Sequence, residues 1–352
     1  MSIILTKSPY IITVNEAGQI GSKVEIFMYA TGASVPTYPQ YTLSKLISSS
    51  NSPATYYDVA PYINEYINHN TYTINTSTVN QNTNTSLYTN VVIKKYKLVG
   101  STYTLVSTTN YFAFKGYLYE SSGINNFYEY YLLDEGTYYY DENVSVGDMV
   151  FYNSYDALEN VSTSIIYTDL VTGATTTNNI ASAGWKTIYR VKNTYLANGN
   201  KLEIKVYDDA VLLETKTYYF RPKGECKYTP IAIDFVNKYG SWQREFMFKA
   251  SNDSMNVDNK SYKAFRSVPS TFNTQESLTT TYNTNGVLSL KCNTGWVEES
   301  YKNVIKQLLL SDRILVDNRP AILKTKQVEL QKNINNKMIN YSLDFDFANN
   351  II

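Results

Sequence analysis

The chain has 352 residues, one histidine, two cysteines, and 31 lysines and arginines against 31 aspartates and glutamates, so its formal net charge is zero. That balance excludes the broad phosphate neutralisation of non-specific nucleic-acid binding, and one histidine leaves no Ser-His-Asp, Cys-His or His-rich zinc arrangement to build. Two cysteines are too few for a secreted disulfide scaffold, and no apolar run approaches the ~20 residues that cross a bilayer.

The N-terminus carries no apolar core after a basic start, so the sequence reads as a protein made and kept in a cytosol, or leaving it without a cleaved signal. Cys226 and Cys292 read as reduced core thiols. Tyrosine is in large excess, at 35 residues. Tyr and Thr favour half-buried pleated surfaces and Asn, Ser and Gly favour turns, which points to strands joined by polar loops. Outward strand faces and subunit interfaces account for the tyrosines equally well.

Residues 1–115 read as a first β domain. Ser22 to Tyr29 alternates, with Val24, Ile26 and Met28 on one face. In Tyr56 to Ile67, Asp58 can cap, Pro61 fits a first helical turn, and Tyr62, Ile63, Tyr66 and Ile67 recur at helical spacing. Residues 68–90 form a polar Asn/Thr tract, too poor in apolar residues to pack by itself, which reads as a long loop or an exposed edge hairpin. Asn90 to Val99 and Tyr103 to Ser107 pair across Gly100-Ser101, and the domain closes on Tyr111-Phe-Ala-Phe114.

Residues 116–225 read as a β-sandwich of immunoglobulin-like type. Short strands at Met149–Tyr152, Ser164–Tyr167, Lys186–Val191, Lys201–Tyr207 and Val211–Phe220 alternate with turn signals at Thr172-Gly173, Asn178-Asn179 and Asn198-Gly199. Arg221 to Glu225 marks the boundary. Residues 226–352 read as an α+β assembly domain. Ile231, Ile233 and Phe235 alternate, Phe246 and Phe248 follow the turn at Tyr239-Gly240, and Val297, Tyr301, Val304, Ile305, Leu308 and Leu309 line one face of a helix over 297–311. Arg313–Val316 pairs with Ala321–Leu323, and Lys326–Ile334 with Met338–Phe347. In the last strand Ile339, Tyr341, Leu343, Phe345 and Phe347 face the core. The expected fold is mainly β: two N-terminal sandwich-like domains, then one amphipathic helix packed on an antiparallel sheet.

No cofactor or metal site is expected. His69 sits in the polar tract. The acid pairs Asp134-Glu135, Asp141-Glu142, Asp208-Asp209 and Asp344/Asp346 fall in turns or on a wet strand face, where a glycosidase would need two carboxylates across a cleft. Asn252 to Asn259 has oxygen ligands but lacks the glycine and distal glutamate of a calcium hand, and reads as a loop. Tyr138-Tyr139-Tyr140 and Trp242 offer aromatic surface for sugars, with strand packing the simpler account.

Several stretches resemble virion structural proteins of tailed bacteriophages of Bacteroidetes hosts, the crAss-like phages among them. They are Tyr228, Ile231 to Gln243, Asn293-Thr-Gly-Trp-Val-Glu-Glu299, Leu308 to Ser311 and Ile339 to Phe345. Nearer the N-terminus, Ser8 to Ile12, Lys23 to Ile26, Pro39 to Lys45 and Asp58 to Ile63 are similar to the first domain of the same kind of protein. The resemblance implies a non-enzymatic subunit of the tail, baseplate or a portal-proximal ring, assembled in the host cytoplasm, whose partners are copies of itself and other tail or portal-associated proteins. Candidate contacts are Trp242, Trp296, Glu298, Glu299 and Tyr301. The alternative is an adhesin or carbohydrate-binding module.

Overall fold

The computed structural model describes residues 2–30, 32–48, 53–67, 79–81, 88–120, 133–153, 161–180, 187–209, 211–225, 227–264, 275, 277–330 and 339–350. The first part contains β1 (Ser2–Leu5), β2 (Ile11–Val14), β3 (Gly21–Tyr29), β4 (Tyr41–Leu46), β5 (Thr55–Asp58), α1 (Ala60–Tyr66), β6 (Val79–Gln81), β7 (Tyr88–Val99) and β8 (Thr102–Phe114). Five strands form a sheet in the order β1-β8-β7-β3-β4, with β1 parallel to β8, and β2 pairs with β5 in a sheet of two. Gly100, at φ +61°, turns β7 into β8 where the sequence places the hairpin. At the start of α1, Asp58 stands one residue before the N-cap position, and its carboxylate accepts the N–H groups of Ala60 and Tyr10.

The run Tyr111-Phe-Ala-Phe114 is apolar throughout because both faces of this end of the sheet are covered. Tyr111 and Ala113 join Ile4, Ile12, Val14, Tyr57 and Ile63 under α1, whereas Phe112 and Phe114 join Ile3, Leu5 and Tyr88 against Tyr239 from the last third of the chain.

The middle part holds β9 (Gly136–Asp141), β10 (Val146–Asn153), β11 (Val161–Asp169), β12 (Thr175–Ile180), β13 (Thr187–Thr194), β14 (Asn200–Asp208) and β15 (Val211–Lys223). One sheet runs β12-β11-β14-β15-β9 and another β10-β13-β6, so a strand from the polar tract pairs with the middle of the chain. Residues 68–78 and 82–87 of that tract, His69 included, lie outside the described residues.

The last third forms a seven-stranded sheet. Its strands are β16 (Ile231–Val236), β17 (Trp242–Met247), β18 (Asn252–Lys263), β19 (Thr279–Asn293), β20 (Ile314–Val316), β21 (Arg319–Leu323) and β22 (Ser342–Asn350), in the order β17-β16-β20-β21-β22-β19-β18. Asp317 and Asn318, at φ +45° and +63°, make the two-residue turn between β20 and β21, a left-handed pair that Asn and Asp tolerate. A 3-10 turn (Glu299–Tyr301) leads into α2 (Lys302–Leu309), so the regular helix begins later than its apolar period.

Three expectations are corrected. Residues 252–259 are strand, not loop, because β18 pairs along its whole length with β19. The described part of Lys326–Ile334 is irregular, and β22 takes β19 and β21 as neighbours instead. The core does not divide at residue 225: Tyr138, Tyr140, Ile204, Tyr218 and Phe220 form one cluster with Phe235, Phe246, Tyr301, Ile305, Leu343 and Phe345.

Within this continuous core β16 and β17 form a hairpin that carries a buried ion pair. Asp234 is fully buried, and Arg244, its cross-strand partner, grips it with Nε and Nη2 at 2.6 Å each. Removing one member of such a pair strands the other charge away from water. Arg244→Ala should therefore destabilise the protein by about 3–5 kcal/mol, and Asp234→Leu combined with Arg244→Met should recover most of that loss. Urea denaturation of the three proteins measures both.

Candidate functional site

The buried face of β17 carries the most perturbed acid in the described chain. Glu245 is 1% exposed; its Oε1 accepts from Gln243 Nε2 at 2.7 Å and its Oε2 from the Tyr301 hydroxyl at 2.8 Å. Burial pushes Glu245 up to about 7, outweighing the lowering effect of those two donors. The carboxyl faces Tyr138 and Tyr301 inside the core and lines neither of the two surface clefts described below, so it serves the packing of the 3-10 turn against the hairpin.

Asp134 is a second joint. It accepts from Lys238 Nζ at 2.7 Å, from the Tyr239 hydroxyl, and from Gln307 Nε2 at 2.7 Å, tying the entry to β9 to the hairpin turn and to α2. Several of the other acids singled out in sequence also have partners. Glu135 holds Thr217 N–H, Asp346 accepts from Ser289, and Asp344 lies 4.0 Å from Lys291. Asp141 caps its own turn by accepting Asn143 N–H. Among the described residues no three His, Cys, Asp or Glu side chains converge as metal ligands. Cys292 is buried and unbridged, and burial pushes its thiol up to about 12, the opposite of nucleophile activation; Cys226 lies outside the described residues.

The candidate contact residues separate. Tyr301 is 2% exposed and bonded to Glu245, so it belongs to the interior, because the helical apolar face that includes it packs on the sheet. Glu299 pairs with Lys302 at 2.8 Å, and Trp242 is partly buried against the first sheet. Trp296 and Glu298 remain on the surface. Tyr138 and Tyr140 are core residues, and Tyr139 packs on Tyr301 and under the Lys223 ammonium, so the tyrosine trio presents no open platform.

One exposed feature is missed by the sequence reading. β19 pairs with β22 over Val287–Asn293, so among the described residues Thr279–Gly286 pairs with β18 alone, and the two strands continue past the sheet as a ribbon. Every residue of β18 is exposed. Cross-strand pairing puts Met255 opposite Leu288 and Asp253 opposite Leu290, and Leu290 opposite Phe345, so these positions share the core face. The apolar stripe therefore leaves the core at Phe345 and Leu290 and runs out through Leu288 to Met255 and Val257, which are 55% and 48% exposed. Tyr262 and Tyr282 pair nearer the tip, with ring centroids 6.2 Å apart. The alternation Met255/Val257 was the available signal, masked by the surrounding Asn, Asp and Ser.

A 640 Å3 groove lies between the end of α2 and β21, lined by Leu309, Leu310, Ile322 and Leu323 with Lys306 and Lys326 at its rim. No helix among the described residues is long and apolar enough to cross a membrane.

No protein-family model matches the chain, and no curated protein matches it. Among solved structures, one titled "Crystal structure of CBD12 from CALX1.2" is similar over 62% of this chain and 96% of that one, at 9% identity and a TM-score of 0.21, a likeness too slight to bear on function.

Glu245 gives the protein a pH dependence whose sign is fixed. An unfolded glutamate ionises near 4.5 and the folded one near 7, so the folded state keeps a proton that the unfolded state has released between those values. Stability therefore falls as pH rises from 4.5 to 7 and the full cost, about 3 kcal/mol, is present above 7. In Asp312 and Glu25 burial raises the carboxyl, but Lys7 and Lys23 outweigh it and hold both below the ordinary range, so they titrate below this window. Glu245→Gln should flatten the decline and leave the variant more stable than the wild type at pH 8; urea denaturation across pH 4.5–8 measures it, and a wild-type stability that climbs over that interval contradicts the assignment.

Proposed function

We propose that this chain is a non-enzymatic structural subunit that assembles with copies of itself through the β18–β19 ribbon. The uncovered continuation of the core face onto Met255 and Val257 carries this reading. A sheet edge with free N–H and C=O groups beside an apolar face is a template for another chain. The free ribbon spans about seven residues per strand, or roughly 23 Å, so its core-side face and the β18 edge offer a few hundred Å2 toward the ~800 Å2 each partner buries in a standard interface. The sequence resemblance supports placing such a subunit in a phage tail, baseplate or portal-proximal ring, with neighbouring virion proteins as further partners. A ribbon that meets a different surface of the next copy gives a heterologous contact, which closes into a ring when the rotation allows.

Met255→Lys with Val257→Lys should convert the wild-type oligomer to monomer while shifting the melting temperature little, since both side chains are already exposed. Light scattering after size exclusion reads the mass. A wild-type chain that stays monomeric at high concentration, or a double variant that assembles unchanged, overturns the proposal.

A further inference from the structure

We infer that the outward face of the same sheet holds a carbohydrate-binding cleft built around Trp296, independent of the assembly reading. Period-two alternation gives β18, β19 and β22 a polar face opposite the core, and there a shallow cleft of about 440 Å3 is lined by Trp296, Asn252, Asn340, Ser342, Lys249 and Lys291. This volume is at the small end of ligand pockets, the scale of one or two sugar rings.

The indole is displayed on a fixed backbone. Gly295, at φ +66°, turns the chain under it; Asn293 Oδ1 accepts Gly295 N–H at 2.7 Å, and Thr294 Oγ1 accepts Tyr341 N–H at 3.0 Å. Val297 and Ile339 exchange both backbone hydrogen bonds, at 2.8 and 2.9 Å. The Lys223 ammonium, held over the Tyr139 and Phe248 rings, donates to the Trp296 carbonyl. Burial, with Lys249 adding to it, lowers Lys223 to about 8, so this contact comes from an ammonium already held at a cost. With its backbone locked, Trp296 is still 51% exposed. A rigid aromatic that loses little freedom on binding is an efficient anchor.

The lining selects the ligand class. A protein hot spot sits in a well-packed, fully desolvated pocket. Here the indole is ringed by amides, a hydroxyl and ammonium groups, and the carboxamides of Asn252 and Asn340 have no partner among the described residues. One flat apolar face beside several donors and acceptors suits a pyranose, which offers a C–H face to the indole and hydroxyls to the amides. Lys249 pairs with Glu225 and Lys291 lies near Asp344, so local charge is balanced and the ring that fits best is neutral or N-acetylated.

The full chain should be titrated by calorimetry with cellotetraose, tetra-N-acetylchitotetraose and tetragalacturonate, and the contacts mapped by saturation-transfer NMR. At least one of the first two should bind with a Kd between about 10 µM and 10 mM, Trp296→Ala should weaken it at least about tenfold, and Asn340→Ala should weaken it several-fold. The melting temperature should hold in both variants. Absence of binding by all three sugars at about 10 mM, or equal binding by Trp296→Ala, overturns the inference. So does a Trp296→Ala variant that changes only the oligomeric mass, which would make the indole a subunit contact.

Discussion

The structure depends on one constraint: the hairpin Ile231–Met247 is enclosed by the rest of the chain. Its turn meets the first sheet at Gly116, where any Cβ would stand 2.4 Å from the Lys238 carbonyl, and at Gly240, which approaches the Lys115 backbone at φ +80°. Tyr239 enters the core of the first sheet, Phe235 and Phe246 join the middle and last sheets, and β16 hands its free edge to β20. A segment covered on every side cannot leave a polar group unpaired without a cost of about 1–3 kcal/mol. Hence the Asp234–Arg244 grip, the Glu245 carboxyl between two donors, and Asp134 drawing Lys238, Tyr239 and Gln307 together. Satisfied networks of this kind fix one arrangement of packed elements more than they add stability.

Part of the tyrosine excess is resolved inward. Tyr57, Tyr138, Tyr140 and Tyr218 are buried, and each hydroxyl donates to a backbone carbonyl: Ser22, Asp134, Leu196 and Leu133 respectively. A side chain that fills space like Phe and also satisfies a carbonyl at a strand end suits sheets that meet edge to face. Other tyrosines, among them Tyr38, Tyr56, Tyr262 and Tyr282, are exposed.

Local pattern carried the elements well. The alternation of Ile339 to Phe347 and the apolar period ending at Leu309 are physical consequences of neighbouring residues, and each is where the sequence puts it; the turn after Val316 is tighter than expected, since Arg319 and Pro320 are already strand. Long-range choices were not legible. Gln307 and Glu245 are buried on partners far away in sequence, Asp134 and Tyr301, which no local pattern reveals. Residues 252–259 read as loop because Asn, Asp and Ser disfavour strands, and only 12 paired positions with β19 override that preference. The continuous core across residue 225 escaped for the same reason: a composition shift marks a change of sheet, and sheets share cores without changing composition.

The ribbon and the Trp296 cleft are two readings of one piece of sheet, and the pleat keeps them apart. Asp253 and Leu290 face the core side, Asn252 and Lys291 the other, so neighbouring residues in β18 and β19 answer to different surroundings. The core side ends with Met255 and Val257 exposed, and these are the groups the proposed assembly would cover. The outward side is polar, with one indole held clear by a backbone that has no freedom to fold it back. A protein that grips its neighbours with one face of a sheet can present the opposite face to solvent in every copy, and repetition around an axis would turn a weak site for one sugar ring into an avid one.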